Sequence, residues 1–185
     1  DEDGDLFILS DERPLGGGEP EMFILRCNYR GEPKVRLALT HVPAEFSGFS
    51  PSRLFYHDGK LVLVSTRQMW AVVADRGGSV ENTYDLGRLA GIVESQRSDT
   101  EIFGVNLDPH GNLLFTVPVA FKAFVLAPDG GVRSFGKSGG APGMFGITAG
   151  IAGDDQGNIF VADKLRSVVM VFDHEFRFVR EFGSR

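Results

Sequence analysis

Four histidines, one cysteine, the acidic pair Asp154-Asp155 and a lysine-bearing glycine loop are the places where this chain could do chemistry. His41, His57, His110 and His174 are the first candidates for a metal site. Metal pairs that are legible in sequence sit one helical turn apart or at a comparably close spacing, and no two of these histidines do. They read as turn histidines facing solvent. Asp154 and Asp155 stand ahead of Gly157. A calcium loop needs oxygen ligands at alternating positions and a later glutamate; an aspartate before a glycine is ordinary turn chemistry. Gly136-Lys137-Ser138-Gly139-Gly140 has the composition of a phosphate loop but the wrong order. A phosphate cradle ends in Lys-Ser and opens a helix, whereas here Lys-Ser comes first and Gly-Gly-Ala-Pro-Gly follows. That is a linker. Cys27 has no partner for an internal disulfide and lies in an apolar run, as a small buried hydrophobe does. A catalytic triad assembles only in three dimensions, and no spacing here argues for one. These residues imply no catalytic group, no metal site and no cofactor.

The elements that must hold these residues form a repeat. Gly4, Gly59, Gly111 and Gly157 each precede a short apolar run, LFILS, LVLVS, LLFTV and IFVAD, and the glycines lie 55, 52 and 46 residues apart. A second run follows each, at Met22–Cys27, Met69–Ala74, Ala123–Ala127 and Val168–Phe172. A third follows that, at Val35–Thr40, Val80–Leu86, Val132–Phe135 and Phe178–Phe182. A fourth precedes the glycine in three copies, at Arg53–Tyr56, Gly104–Leu107 and Ile147–Ala152. Runs this short, rich in β-branched and aromatic residues and bounded by Gly, Asp and Asn, favour strands over helices. Asp-Gly, His-Gly-Asn and Gln-Gly-Asn punctuate them as hairpin turns do. The one stretch with helical character is Leu86–Arg97.

The unit is therefore a four-stranded antiparallel meander of roughly 40–50 residues, the size of a propeller blade. The fold class expected is an all-β propeller of about four blades, at about 1–43, 44–98, 99–142 and 143–185, in one domain over 1–185. One such sheet cannot bury both faces alone, and packing by neighbours explains the lack of clean apolar alternation. The chain opens inside a turn, with Asp1-Glu2-Asp3-Gly4 at the place of Asp154-Asp155-Gln156-Gly157, so the first blade is expected to lack its innermost strand. Propellers close so that no sheet edge stays open. Three arrangements would achieve this: further blades outside this sequence, copies pairing through their open edges, or a small four-bladed ring.

Residues 135–183 resemble NHL-repeat β-propellers. The resemblance rests on Phe135-Gly136, the Gly139–Phe145 linker, Gly150-Ile151-Ala152, Asp155-Gln156-Gly157-Asn158-Ile159, Val161-Ala162-Asp163, Val171-Phe172-Asp173 and Phe182-Gly183. It weakens upstream, where register carries it. The position of Asp163 is taken by Val117, Ser65 and Ser10, and the position of Asp173 is kept by Asp75 but not in the third unit, where Asp129 comes two residues late. The resemblance implies a non-enzymatic scaffold that binds a protein or an extended assembly. Some propeller lyases and lactonases similar to this fold place a metal in the central channel, so a metal-dependent lyase or lactonase is the alternative. The innermost strands offer Asn106 and Asp108 among mainly apolar residues, a poor ligand set for a catalytic cation.

Some NHL propellers bind RNA. Here the formal net charge is −6 and the lysines and arginines are dispersed, which argues against a nucleic-acid partner. No run approaches the roughly 20 apolar residues of a membrane span. One cysteine suits the cytosol and an exported, disulfide-free protein alike, with a periplasmic or extracellular setting slightly favoured.

Two sets of segments share one end of the meanders. The loops between second and third strands are Glu12–Glu21, Thr66–Gln68, Pro118–Lys122 and Lys164–Ser167. The connections between blades are His41–Phe49, Leu86–Thr100 and Gly136–Gly146. This face carries the length variation, and binding concentrates in variable loops on a rigid frame. Phe121, Lys122, Lys164, Leu165 and Arg166 are the contact patch expected from it.

Overall fold

Each of the fifteen apolar runs is a strand in the computed structural model, which describes residues 1–13, 17 and 21–183. All strand pairs are antiparallel. The chain divides into two compact units, Asp1–Leu86 and Gly87–Arg185.

In the first unit, β1 (Leu6–Glu12), β2 (Glu21–Cys27) and β3 (Pro33–Leu37) form a three-stranded sheet in chain order. This sheet has three strands where each of the others has four, as the repeat register implied. A second sheet runs β4 (Arg53–His57), β5 (Lys60–Ser65), β6 (Trp70–Asp75) and β7 (Val80–Asp85). Leu61 and Leu63 of β5 pack on Ile24 of β2, with Phe7, Leu9, Leu37 and Leu54 around them. The Phe7 and Tyr56 rings stack at 5.6 Å. Burial of this apolar area holds the two sheets together. The third run was expected to reach Thr40; β3 stops at Leu37, and Thr40 instead forms a parallel bridge to Ser79. Cys27 is fully buried and free.

The second unit repeats the plan twice. One sheet is β8 (Val105–Leu107), β9 (Leu113–Val117), β10 (Lys122–Leu126) and β11 (Val132–Phe135); the other is β12 (Thr148–Gly153), β13 (Ile159–Asp163), β14 (Val168–Phe172) and β15 (Phe178–Phe182). Their shared core contains Leu114, Val125, Phe135, Phe145, Val161, Met170 and Phe172. Burial peaks in the middle strands: every residue of β9 is buried, the innermost β8 is half-buried throughout, and four of the five residues of β15 are exposed. That profile is why the middle strands read as continuous apolar runs. The innermost strands approach closely enough to require glycine. A Cβ on Gly104 would stand 2.9 Å from the Gly150 backbone.

The stretch Leu86–Arg97 is not one helix. It is a single α-turn, α1 (Leu86–Leu89), followed by a 3-10 segment at Glu94–Asp99. Gly91, at φ 75°, ends the first turn, because glycine enters the left-handed region without the usual Cβ penalty.

The turns at one end of the meanders share a single device. Asp154 accepts hydrogen bonds from the backbone N–H groups of Gln156 and Asn158 and from the Asn158 side chain, at 3.0, 2.7 and 2.8 Å. Asp108 does the same for His110 and Asn112. In the outer hairpins Asn28, Asp75 and Asp173 each cap a turn in this way. Two turns are exceptions. The β4–β5 turn is the two-residue hairpin Asp58-Gly59. In the β10–β11 turn Ala127 holds the corresponding backbone bonds, and Asp129, two residues later, binds the N–H of Gly131.

Candidate functional site

The opposite end of the meanders carries the loops. Three described hairpins there, Thr66–Met69, Pro118–Phe121 and Lys164–Ser167, span four residues each between paired strand ends. Each closes on a residue with positive φ: Met69 at 56°, Phe121 at 51° and Ser167 at 57°. These loops thus share one backbone plan and differ in side chains. The loop expected over Glu12–Glu21 falls largely outside the described residues.

In the second unit two of these hairpins flank the segment 136–147. Asp163, only 2% exposed, organises the junction. Its carboxylate accepts hydrogen bonds from the backbone N–H groups of Gly146 at 2.6 Å, Ile147 at 3.2 Å and Arg166 at 3.1 Å. The Lys164 N–H donates to the Ile147 carbonyl at 2.8 Å. Ser65 plays a reduced version of this part in the first unit, accepting the Gln68 N–H. Val117 cannot, and its loop instead turns through the 3-10 segment Pro118–Ala120. At the other end of the segment, a Cβ on Gly136 would lie 2.3 Å from the Phe145 ring and 2.9 Å from the Phe121 carbonyl. The Gly136–Gly140 stretch is therefore a packed linker whose backbone pairs with Phe145. No helix follows it to form a phosphate cradle.

The five expected contact residues lie along this segment and divide by role. Lys122, Lys164 and Leu165 are exposed, Leu165 to 54%. Phe121 is half-buried and packs on the core, its backbone set by the left-handed turn position. Arg166 is committed internally. Its guanidinium donates to the Met144 carbonyl at 3.2 Å and pairs with Glu181 at 2.8 Å. The roles of Asp163 and Arg166 were not legible in the sequence, because the partners that tie them to the linker and to β15 lie 15 to 22 residues away along the chain.

The histidines are dispersed. His41, His110 and His174 are exposed, while His57 ends β4 half-buried and is not a turn residue. Among the described residues, no group of three His, Cys, Asp or Glu side chains could hold a metal ion. Asp108 is occupied by its own turn, and the Asn106 side chain accepts the Leu107 N–H at 2.8 Å. No helix among the described residues is long and apolar enough to cross a membrane.

A charged cluster ties the first turn to the sheets of its unit. Asp5, 3% exposed, pairs with Lys34 at 2.5 Å and Arg26 at 2.7 Å. Arg76 reaches Asp1 at 2.6 Å and Asp3 at 2.5 Å, and the Tyr56 hydroxyl donates to Glu2. The Lys34 bond and then Arg26 hold the Asp5 carboxyl below its ordinary value. The bond from Arg76 does so for Asp3, the Asn158 side chain for Asp154, and the Arg177 backbone and side chain for Asp173. A folded pKa below the unfolded one contributes stability that is present above the unfolded value and is lost as pH falls through the folded value. Unfolded aspartate titrates near pH 3.9. Denaturation midpoints are therefore expected to hold steady from about pH 7 to 5 and to fall below about pH 4. Asp154→Asn should flatten part of that fall. An acid limb identical in wild type and variant would contradict the assignment to Asp154.

No protein-family model and no curated protein matches the sequence. Solved structures do match it. One is a catalytically inactive virginiamycin B lyase from Staphylococcus aureus with quinupristin, at 13% identity and a TM-score of 0.59 over 96% of this chain and 60% of that one. Another is YCF48 from Cyanidioschyzon merolae, at 15% identity and a TM-score of 0.57 over 88% of this chain and 51% of that one. A third is BBS1N in complex with ARL6DN, at 12% identity and a TM-score of 0.58 over 89% of this chain and 49% of that one. The chain thus spans between about half and 60% of the length of these structures. At such identities the likeness shows the fold alone. That fold is a β-propeller, present here in part.

Proposed function

We propose that this chain is a non-enzymatic propeller scaffold of NHL type that holds a protein partner on its loop-bearing end. The observation that carries this reading is the placement of Lys122, Lys164 and Leu165. All three are exposed at the ends of two hairpins that flank one packed linker. The backbone beneath them is already fixed by the hairpins, so binding has side chains but not loops to order. The repeat signature over 135–183 supports the family, and the match to a propeller in complex with another protein supports the mode of action. We read 1–185 as one run of blades whose function is complementarity of shape and charge.

The second reading is a metal-dependent lyase or lactonase with a central-channel site. The likeness to virginiamycin B lyase favours it. The two readings separate experimentally. A photo-crosslinking residue in place of Lys122 or Lys164 should trap a discrete protein adduct from native extract. The same residue in place of His110 or His174, in the turns at the other end of the meanders, should not. Adducts independent of position would sink the scaffold reading. So would a stoichiometric divalent cation on the purified protein whose removal abolishes bond cleavage in a cyclic peptide or lactone.

A further inference from the structure

The turn that leads into β1 is built like the inner hairpin turns of the second unit, with one replacement. Asp1 precedes Gly4 as Asp154 precedes Gly157 and Asp108 precedes Gly111. Its carboxylate accepts the backbone N–H groups of Asp3 at 3.1 Å and Asp5 at 2.8 Å, and its carbonyl accepts the Gly4 N–H at 3.0 Å. Asp154 holds the same three bonds, with Gln156, Asn158 and Gly157. The difference is the residue after the glycine. Asn158 and Asn112 each donate a side-chain amide to Oδ2 of the aspartate that caps their turn, both at 2.8 Å. The first turn has Asp5 at this place. An ionised carboxylate has no donor to offer, and it sets a second negative charge beside Asp1.

Arg76 fills the vacant role. Its guanidinium donates to Oδ2 of Asp1 at 2.6 Å and to Asp3 at 2.5 Å. Arg76 belongs to the β6–β7 turn of the second sheet, which Asp75 fixes by accepting the N–H groups of Gly77 and Ser79. Tyr56 of β4 adds a second tie from that sheet, donating to Glu2. The first sheet balances the other acid. Arg26 of β2 and Lys34 of β3 pair with Asp5 at 2.7 and 2.5 Å, and Arg26 stands 3.7 Å from Asp1. The Asp1 side chain is fully buried and Asp5 is 3% exposed. A buried carboxylate deprived of its partner is strongly destabilising.

We propose that the first turn is a conditional clasp, closed only when the second sheet supplies Arg76. The Asp108 and Asp154 turns are closed by their own asparagines, so they form with their own hairpins. The first turn instead orders as the two sheets of its unit dock, and β1 gains a fixed start at that moment. Asp5 is the residue that imposes the condition, because an asparagine there would restore the missing donor. The clasp is independent of what binds the loop-bearing end.

Amide hydrogen exchange at Gly4 and at position 5 tests this, on the whole chain at pH 7, since exchange reads local opening separately from global unfolding. The buried Leu63 of β5 reports whether the unit stays folded. Arg76→Gln should speed exchange at both turn amides at least tenfold and leave Leu63 within twofold. Adding Asp5→Asn should return both amides to within threefold of wild type, because the asparagine takes over at Asp1. Asn158→Asp copies the replacement into the second unit, and should speed exchange at Gly157 and position 158 at least tenfold. Turn amides unchanged in Arg76→Gln, no rescue by Asp5→Asn, or no effect of Asn158→Asp would each overturn the clasp. If Leu63 also opens in Arg76→Gln, Arg76→Lys takes its place. Lysine keeps the charge but lacks the planar fork that spans two carboxylates, so a rise of about threefold at the turn amides is expected, again reversed by Asp5→Asn. An unchanged rate there overturns the proposal equally.

Discussion

Phe145→Ala is expected to destabilise the second unit by about 3–5 kcal/mol, the range for removing a fully buried aromatic ring. The Phe145 side chain is fully buried, edge-on to Phe135 at 6.0 Å and to Phe172 at 5.8 Å. It is also the residue against which the linker closes. Its N–H donates to the Lys137 carbonyl at 2.8 Å and its carbonyl accepts from Gly139 at 3.1 Å. The ring occupies the space that any side chain at position 136 would need. Removing it therefore opens a cavity between two sheets and frees the segment that positions the exposed lysines. Chemical denaturation followed by circular dichroism is the measurement, because the one tryptophan, Trp70, lies in the other unit. Phe182→Ala is the control. That side chain is 52% exposed, and its loss should cost less than about 0.5 kcal/mol. Equal effects of the two substitutions would refute the packing described.

Asp163→Ala should cost roughly 3 kcal/mol through a different mechanism. Little apolar area is lost. Instead the N–H groups of Gly146, Ile147 and Arg166 lose their acceptor together. A buried donor left without a partner costs about 1–3 kcal/mol, and water entering at the exposed end of the loop recovers part of that. Asp163→Asn keeps one acceptor oxygen and should retain about half the stability difference. Hydrogen exchange at Gly146, Ile147 and Arg166 would localise the effect. If those amides stay as protected in Asp163→Ala as in wild type, the carboxylate does not hold the junction. The alanine variant should also lower crosslinking from Lys164, whose own N–H bonds to the same segment.

The strands were legible because turn chemistry and apolar runs are local. Asp58-Gly59 between β4 and β5 illustrates this. Both residues take positive φ, 45° and 76°, as a two-residue hairpin requires. Asp154 likewise read as a turn residue from its place ahead of Gly157, and it is bound to its own loop; Asp108, expected on an innermost strand, lies just past β8 and caps the equivalent turn. The Leu86–Arg97 stretch misled because its apolar spacing suits a helix while Gly91 ends one, and propensity does not say which prevails.

The candidate site was legible only by position. The loop-bearing end follows from strand order, so Lys122, Lys164 and Leu165 could be placed there. Arg166 looked equally available, yet it is bound to Met144 and Glu181. Phe121 looked like a contact residue and proves to be a packed turn residue. An apolar cleft in the first unit, lined by Leu9, Ile24, Phe46 and Leu63, had no local signal, because its walls come from two sheets and the connection between them.

By itself, then, the sequence determined the number and order of the strands and the hairpins that join them. Each depends on backbone preferences and burial patterns over fewer than ten residues. Which charged side chains are consumed by the frame, which stay exposed, and where an apolar hollow remains between sheets were decided by tertiary structure. Those outcomes depend on what a neighbouring sheet or linker places opposite each residue, and no local pattern encodes that.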